Sequence, residues 1–181
     1  GSISNYFRLK RGDMSTGVRA MADVHGTMYV GIDNEVCTVE RQDGHKLVVT
    51  SLADKLPSFS EDWRILCMQE DGDWLWLGSN RGLFRFDYHT GELKRYRYST
   101  HREGYLSQAY ITDLGVTEDG YLIAATLNGL NVYDRQTDSF SFIRQSVGNE
   151  SATVNCNAIN CLLTEGETIW VGTETGGVNL L

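Results

Sequence analysis

The sequence predicts an all-β protein in which one four-stranded unit is repeated four times. Three observations carry that prediction. Tyr29, Trp76, Ile123 and Trp170 stand 47 residues apart, each inside a short apolar segment: Met28-Tyr29-Val30-Gly31, Leu75-Trp76-Leu77-Gly78, Leu122-Ile123-Ala124-Ala125 and Ile169-Trp170-Val171-Gly172. Further columns keep the same interval, among them Val18, Ile65, Thr112 and Ile159, and Ala20, Cys67, Leu114 and Cys161. Within each interval short apolar runs alternate with Gly, Asn and Asp turn signals, and nowhere is the period of a helix sustained. A four-stranded unit of roughly 40–50 residues is the blade of a β-propeller. The expected fold is therefore an all-β propeller of four 47-residue blades.

The elements follow in order. The first unit opens with a strand near Val18 and a second at Met28-Tyr29-Val30-Gly31. The second unit shows all four strands. Ile65 to Met68 is strand A, Glu70-Asp71-Gly72-Asp73 turns, and Trp74 to Gly78 is strand B. Ser79-Asn80-Arg81-Gly82 turns again, Leu83 to Asp87 is strand C, and after His89-Thr90-Gly91 the chain returns as strand D, Leu93 to Tyr98. Runs A and B are nearly all apolar, as in strands covered on both faces, whereas C and D alternate. The third unit begins near Thr112 and repeats Gly82-Leu83 as Gly129-Leu130 and Phe86-Asp87 as Tyr133-Asp134. The fourth has strands over 159–164, 168–172 and 177–181 but no strand D.

At the other end, Tyr6-Phe7-Arg8-Leu9 is similar to the D strand around Tyr96-Arg97-Tyr98. Residues 5–10 are thus expected to complete the last blade, within the chain or in a neighbouring copy, removing exposed edges. The blades are placed at about 18–63, 64–110, 111–158 and 159–181 plus 5–10. Three arrangements stay open: a four-bladed ring, an eight-bladed ring of two copies, or part of a larger propeller.

Composition narrows the function. The net charge of −8 argues against a nucleic-acid partner, which requires a basic face. It equally weakens an anionic membrane as the main partner, and no apolar run reaches the ~18 residues of a membrane span. The four cysteines, Cys37, Cys67, Cys156 and Cys161, lack zinc-ligand spacing and read as free, buried thiols. His25, His45, His89 and His101 fall in turns or loops without a second ligand nearby, so neither metal, cofactor nor catalytic residue is expected.

The blade motif resembles a known family. Asp71-Gly72-Asp73-Trp74-Leu75-Trp76-Leu77-Gly78-Ser79-Asn80-Arg81-Gly82-Leu83-Phe84-Arg85-Phe86-Asp87 is similar to the DGxLWIGTxxGLxxYD blade of two-component-regulator propellers. Ile169-Trp170-Val171-Gly172-Thr173 repeats it, and Leu106-Ser107-Gln108-Ala109-Tyr110-Ile111 resembles the family's entry into strand A. The first unit departs from the pattern at Asp33-Asn34-Glu35, and the third carries Ala124-Ala125 in place of an apolar residue and Gly. The resemblance implies a periplasmic sensor segment of a hybrid two-component histidine kinase, responding to oligosaccharides, attached to a membrane only through the parent receptor. Alternatives are a structural module that assembles with other blades or a second copy, and a propeller lyase or lactonase.

Trp76 and Trp170, in register with Tyr29 and Ile123, read as core between blades. Candidate ligand-binding residues lie in the loops between blades. Trp63 and Tyr110, 47 residues apart and just before strand A, are placed to stack on a sugar ring. Arg64 and Arg81 are placed to grip a carboxylate or sulfate, and Tyr105, Asn128 and Asn157 occupy equivalent loops. Lys94-Arg95-Tyr96-Arg97-Tyr98 reads as an outer strand with its tyrosines on one face and Arg95 and Arg97 on the other.

Overall fold

The computed structural model describes residues 10–11, 14–15, 17–32, 35–42, 46–56, 62–146 and 153–181. Among them four antiparallel meanders follow one another along the chain. The first is β3 (Val18–Val24), β4 (Thr27–Ile32), β5 (Glu35–Gln42) and β6 (Lys46–Ser51), and the second β7 (Ile65–Asp71), β8 (Trp74–Ser79), β9 (Gly82–Asp87) and β10 (Leu93–Tyr96). The third is β11 (Ile111–Val116), β12 (Leu122–Thr126), β13 (Gly129–Asp134) and β14 (Ser139–Ile143). The fourth comprises β15 (Ile159–Glu165), β16 (Thr168–Thr173) and β17 (Val178–Leu180). Ahead of them β1 (Lys10–Arg11) pairs with β2 (Met14–Ser15). Of the strand expected over 5–10, only Lys10 lies within the described residues, and it pairs with Ser15 rather than with β17.

The first strands of the four sheets, β3, β7, β11 and β15, stand side by side. Three apolar layers fill the gaps between successive sheets. Tyr29 and Val36 meet Ile65 and Met68, Trp76 and Leu83 meet Ile111 and Leu114, and Ile123 and Leu130 meet Ile159. No such layer joins the fourth sheet to the first among the described residues. Among the described residues the four sheets follow one another without closing into a ring.

The recurring glycine after the apolar triplet has a steric cause. A Cβ on Gly78 would lie 2.3 Å from Cys67 Sγ and 2.8 Å from Ile111 Cγ2, the first residue of the next sheet. Gly31 is crowded in the same way by Ile65 and Met68. The glycine lets adjacent sheets approach at their inner edge.

Each first strand carries a bulge two residues from its start, at Val18/Ala20, Ile65/Cys67, Ile111/Asp113 and Ile159/Cys161. The third breaks the expected columns. Ile111, not Thr112, pairs with Thr126 as Ile65 does with Ser79, and Asp113 takes the place expected for Leu114. The cause lies in the following hairpin. Glu70 pairs with Leu75 around the four residues Asp71–Trp74, with Gly72 at φ 67°, whereas Val116 pairs with Leu122 around the five residues Thr117–Tyr121, one residue longer. Thr117 Oγ1 accepts from Tyr121 N at 3.0 Å and donates to Asp119 Oδ1 at 2.5 Å, which holds the extra residue in place.

Two further expectations fail on the fourth sheet. Trp76 is 0% exposed between the second and third sheets, but Trp170, its counterpart, is 40% exposed. Cys161 is likewise exposed, while its counterpart Cys67 and also Cys37 are buried; all four thiols are free. Both residues belong to the columns that face the following sheet, and no described sheet covers that side.

Candidate functional site

Where the second and third sheets meet, the turn after β8 and the chain from β10 to β11 enclose an open cleft of about 650 Å3. Its walls are built by local hydrogen bonds. Asn80 Oδ1 accepts from Arg64 N at 2.8 Å, Asn80 Nδ2 donates to Asp62 O at 2.8 Å, and Asn80 N donates to Arg64 O at 3.2 Å. These bonds fasten the β8–β9 turn to the chain entering β7. Ser79 Oγ accepts from Arg81 N at 3.1 Å and donates to Gly82 O at 2.7 Å, so the residue that projects from the turn is Arg81. Its guanidinium pairs with Asp62 at 2.7 Å on the surface.

The opposite wall is the chain between β10 and β11. It folds back on itself, with Leu106 N donating to Arg97 O at 3.3 Å and Ser99 N to Leu106 O at 3.1 Å. Its far end is tied to the third sheet by buried polar groups. Asn131 Oδ1 accepts from Ser107 N at 2.7 Å and Asn131 Nδ2 donates to Ser107 Oγ at 3.0 Å. Asn179 makes the matching contacts with Asn155 at the fourth sheet, at 3.0 and 2.9 Å. Within this frame Tyr98 and Tyr110 present their rings, 54% and 39% exposed.

Three arginines line the cleft: Arg81, Arg95 and Arg97. Arg95 is held as a plate, its guanidinium carbon 4.5 Å from the Trp63 ring centre and 5.8 Å from that of Phe84. Its Nη2 donates to Arg81 O at 3.1 Å. Burial, and then the neighbouring Arg97 charge, push the pKa of Arg95 below the usual guanidinium value. Among the described residues that line the cleft there is no carboxylate, imidazole or thiol. Such a surface can hold an anion and stack on a ring.

The residues singled out from the sequence separate here. Arg81 and Tyr110 come together in the cleft. Trp63 packs on Phe84, ring centres 5.2 Å apart, and acts beneath Arg95. It differs from Tyr110 because Trp63 precedes its strand by two residues and Tyr110 by one, so their side chains leave an extended chain in opposite directions. Arg64 turns inward, its Nη1 donating to Trp63 O at 2.7 Å. Asn128, 47 residues after Arg81, is pinned by its N–H to Thr126 Oγ1 at 3.0 Å. Asn157 closes the next junction, its carbonyl accepting from Gly129 N at 2.7 Å and its Oδ1 from Gln145 N at 2.7 Å. Tyr105 lies in a neighbouring hollow of about 370 Å3, which Arg95 and Arg97 also line together with Glu103 and Asp138. There Asp138 already accepts from Tyr96 at 2.6 Å and Tyr133 at 2.7 Å and pairs with Lys94. Arg95, Arg97 and Tyr98 are cleft residues that the sequence reading assigned to an outer strand; the signal was an Arg-x-Arg-Tyr run at a strand's end, next to a between-blade loop.

No protein-family model matches the sequence, and neither does any curated protein. Solved structures do. One, described as the extracellular domain of a one component system, BT4673, from B. thetaiotaomicron, superposes with TM-score 0.71 at 24% identity over 90% of this chain and 21% of that one. Another, described as the extracellular domain of a hybrid two component system, BT3049, from the same organism, gives TM-score 0.68 at 16% identity over 91% and 23%. The WD40 repeats of RRP9 give TM-score 0.61 at 17% identity over 94% and 49%. The chain spans a little over a fifth of the length of the two extracellular domains it matches. Taken with the four successive meanders and the three apolar layers between them, these likenesses establish the architecture: the chain is a run of consecutive β-propeller blades.

Proposed function

We propose that these blades are part of an extracytoplasmic, periplasmic recognition propeller of a signalling receptor, and that the cleft between the second and third blades receives an oligosaccharide. The observation that carries this reading is the pairing of two exposed tyrosine rings with three guanidinium groups at the mouth of one inter-blade junction. Aromatic faces stack on the apolar face of a sugar ring while its edges stay wet, and polar donors orient it. The structural likeness to extracellular domains of one- and two-component systems supports the same reading. The blades carry no reaction of their own here. A ligand that touches both blades acts by favouring one arrangement of them, and its effect on the receptor equals its differential affinity for two states.

Thermal unfolding across a panel of oligosaccharides tests this. A ligand at 100 times its dissociation constant stabilises by about 2.7 kcal/mol. At about 2–4 °C per kcal/mol for a chain of this size, the melting temperature rises by roughly 5–11 °C. A second reading, an assembly module, is favoured by one observation. On the fourth sheet Leu163, Trp170, Val178 and Leu180 all stand exposed on strands whose counterparts are covered. Absence of any saccharide effect, together with self-association in solution, would decide for assembly.

A further inference from the structure

The charge at the cleft is out of keeping with the rest of the chain. The protein carries a net charge of −8, yet the cleft collects Arg81, Arg95 and Arg97 without a carboxylate on its described walls. The three guanidinium groups are not equivalent. Arg81 is neutralised by Asp62 at 2.7 Å, and both side chains are largely exposed. Arg95 is fixed by Trp63, Phe84 and Arg81 O, none of which carries a charge to neutralise it. The side chain of Arg97 has neither a hydrogen bond nor an ion pair among the described residues. Arg95, the penultimate residue of β10, and Arg97, just past its end, thus line the same opening, and the charge of Arg97 bears on Arg95.

Like charges held together without an acid are relieved by an incoming anion, and a preorganised planar guanidinium binds one with little loss of side-chain freedom. On either side Tyr98 and Tyr110 leave ring surface exposed. Cation and ring together fit a sugar that carries its own negative charge rather than a bare ion or a neutral glycan.

We infer that the cleft selects acidic saccharides, with Arg95 and Arg97 receiving a carboxylate or sulfate group and Tyr98 and Tyr110 flanking the ring that bears it. This rests on the recognition reading above and assigns its ligand class. Arg81 then serves as a replaceable arm, exchanging Asp62 for the ligand or staying paired. Trp63 is a positioning residue: its ring carries Arg95 and does not line the opening.

The test is calorimetric titration of the full chain with four probes: a galacturonic acid tetrasaccharide, a sulfated heparin tetrasaccharide, neutral cellotetraose and inorganic sulfate. Expected is binding of one or both acidic tetrasaccharides, weakened by added salt, with the comparison of the two separating carboxylate from sulfate. Arg97→Ala is expected to weaken that binding about tenfold or more, as for the loss of a charge-assisted bond. The side chain is exposed and unpaired, so this variant is expected to unfold at the wild-type temperature. Trp63→Leu is expected to weaken acidic binding in the same direction, by freeing Arg95. Cellotetraose binding as tightly as the acidic probes overturns the inference and leaves the recognition reading standing. So does acidic binding that Arg97→Ala leaves unchanged. Sulfate alone matching the tetrasaccharides overturns the sugar part, and no binding by any probe overturns both readings.

Discussion

Trp76 and Trp170 occupy the same place in two blades, and replacing each by alanine separates sequence register from burial. Trp76 is 0% exposed, with ring centres 4.9 Å from Tyr133 and 5.5 Å from Tyr96, and its Nε1 donates to the buried Asp71 at 2.9 Å. Trp76→Ala empties that site between two sheets, and such truncations cost about 3–5 kcal/mol. At about 2–4 °C per kcal/mol the melting temperature falls by roughly 6–20 °C. Asp71 keeps its pairing with Arg135, so the carboxylate is not stranded. Trp170 is 40% exposed and leans on its cross-strand neighbours Leu163 and Leu180. By the share of surface it buries, Trp170→Ala costs about 1–2 kcal/mol. The assay is thermal and urea unfolding of both variants, followed by circular dichroism at two protein concentrations. A loss for Trp170→Ala as large as for Trp76→Ala would refute the reasoning, because it would mean that another sheet covers Trp170 in solution. A loss that grows with protein concentration would identify that sheet as belonging to a second copy.

Glycine and pH predictions follow from neighbouring features. Gly78→Ala forces its Cβ onto Cys67 Sγ and Ile111 Cγ2 between two packed sheets and is expected to cost about 1–3 kcal/mol in urea unfolding. Gly172→Ala meets Cys161 Sγ at 2.5 Å, but Cys161 is exposed and free to turn aside, so it is expected to cost clearly less. Asp134 is held below the ordinary value of 3.8, first by the Thr137 hydroxyl and then by the N–H of Gln136. A depressed carboxyl stabilises the fold above its unfolded pKa, and that contribution disappears as pH falls through the folded one. Thr137→Ala is therefore expected to raise the Asp134 pKa, measured by NMR titration, and to lower stability at pH 7, with the deficit vanishing as pH falls through the folded carboxyl's pKa.

The repeat was legible because each blade must solve one packing problem with the same residues. An apolar triplet followed by a small residue is what a strand between two sheets requires, and Leu75-Trp76-Leu77-Gly78 meets that need literally. What the spacing did not reveal was the extra residue at Thr117–Tyr121, since Thr112 and Leu114 fit the columns about as well as Ile111 and Asp113 do. Asp113 earns its shifted place by a contact that no periodicity encodes: its Oδ2 accepts from Leu162 N at 2.8 Å in the next blade. Nor does a column tell whether a neighbour is present. Trp170 and Cys161 carry the residues of a buried junction, and their exposure is decided by a surface outside their own blade.

The same distinction holds at the cleft. Arg81 and Tyr110 were identifiable individually because each follows from blade grammar, one at the tip of a turn and the other just before a strand. Alternation assigns Arg95 and Arg97 to the wet face of an outer strand and Tyr98, with Tyr96, to its other face. That assignment is correct as far as the strand goes, since Tyr96 is buried and its neighbours are exposed. But β10 ends at Tyr96, and alternation has no authority beyond it. Past that residue the chain folds back through the Leu106 and Ser99 bonds, which brings Arg97 and Tyr98 over the junction instead of outward. Ser107 is gripped by Asn131 of the following sheet, so the cleft's second wall belongs to the third blade although its residues are contiguous with the second. A ligand held there bridges two blades that elsewhere meet through their apolar layer and through polar pairs such as Arg135 with Asp71 and Lys94 with Asp138. On the proposed reading, binding at this position is thereby coupled to the angle between the second and third blades.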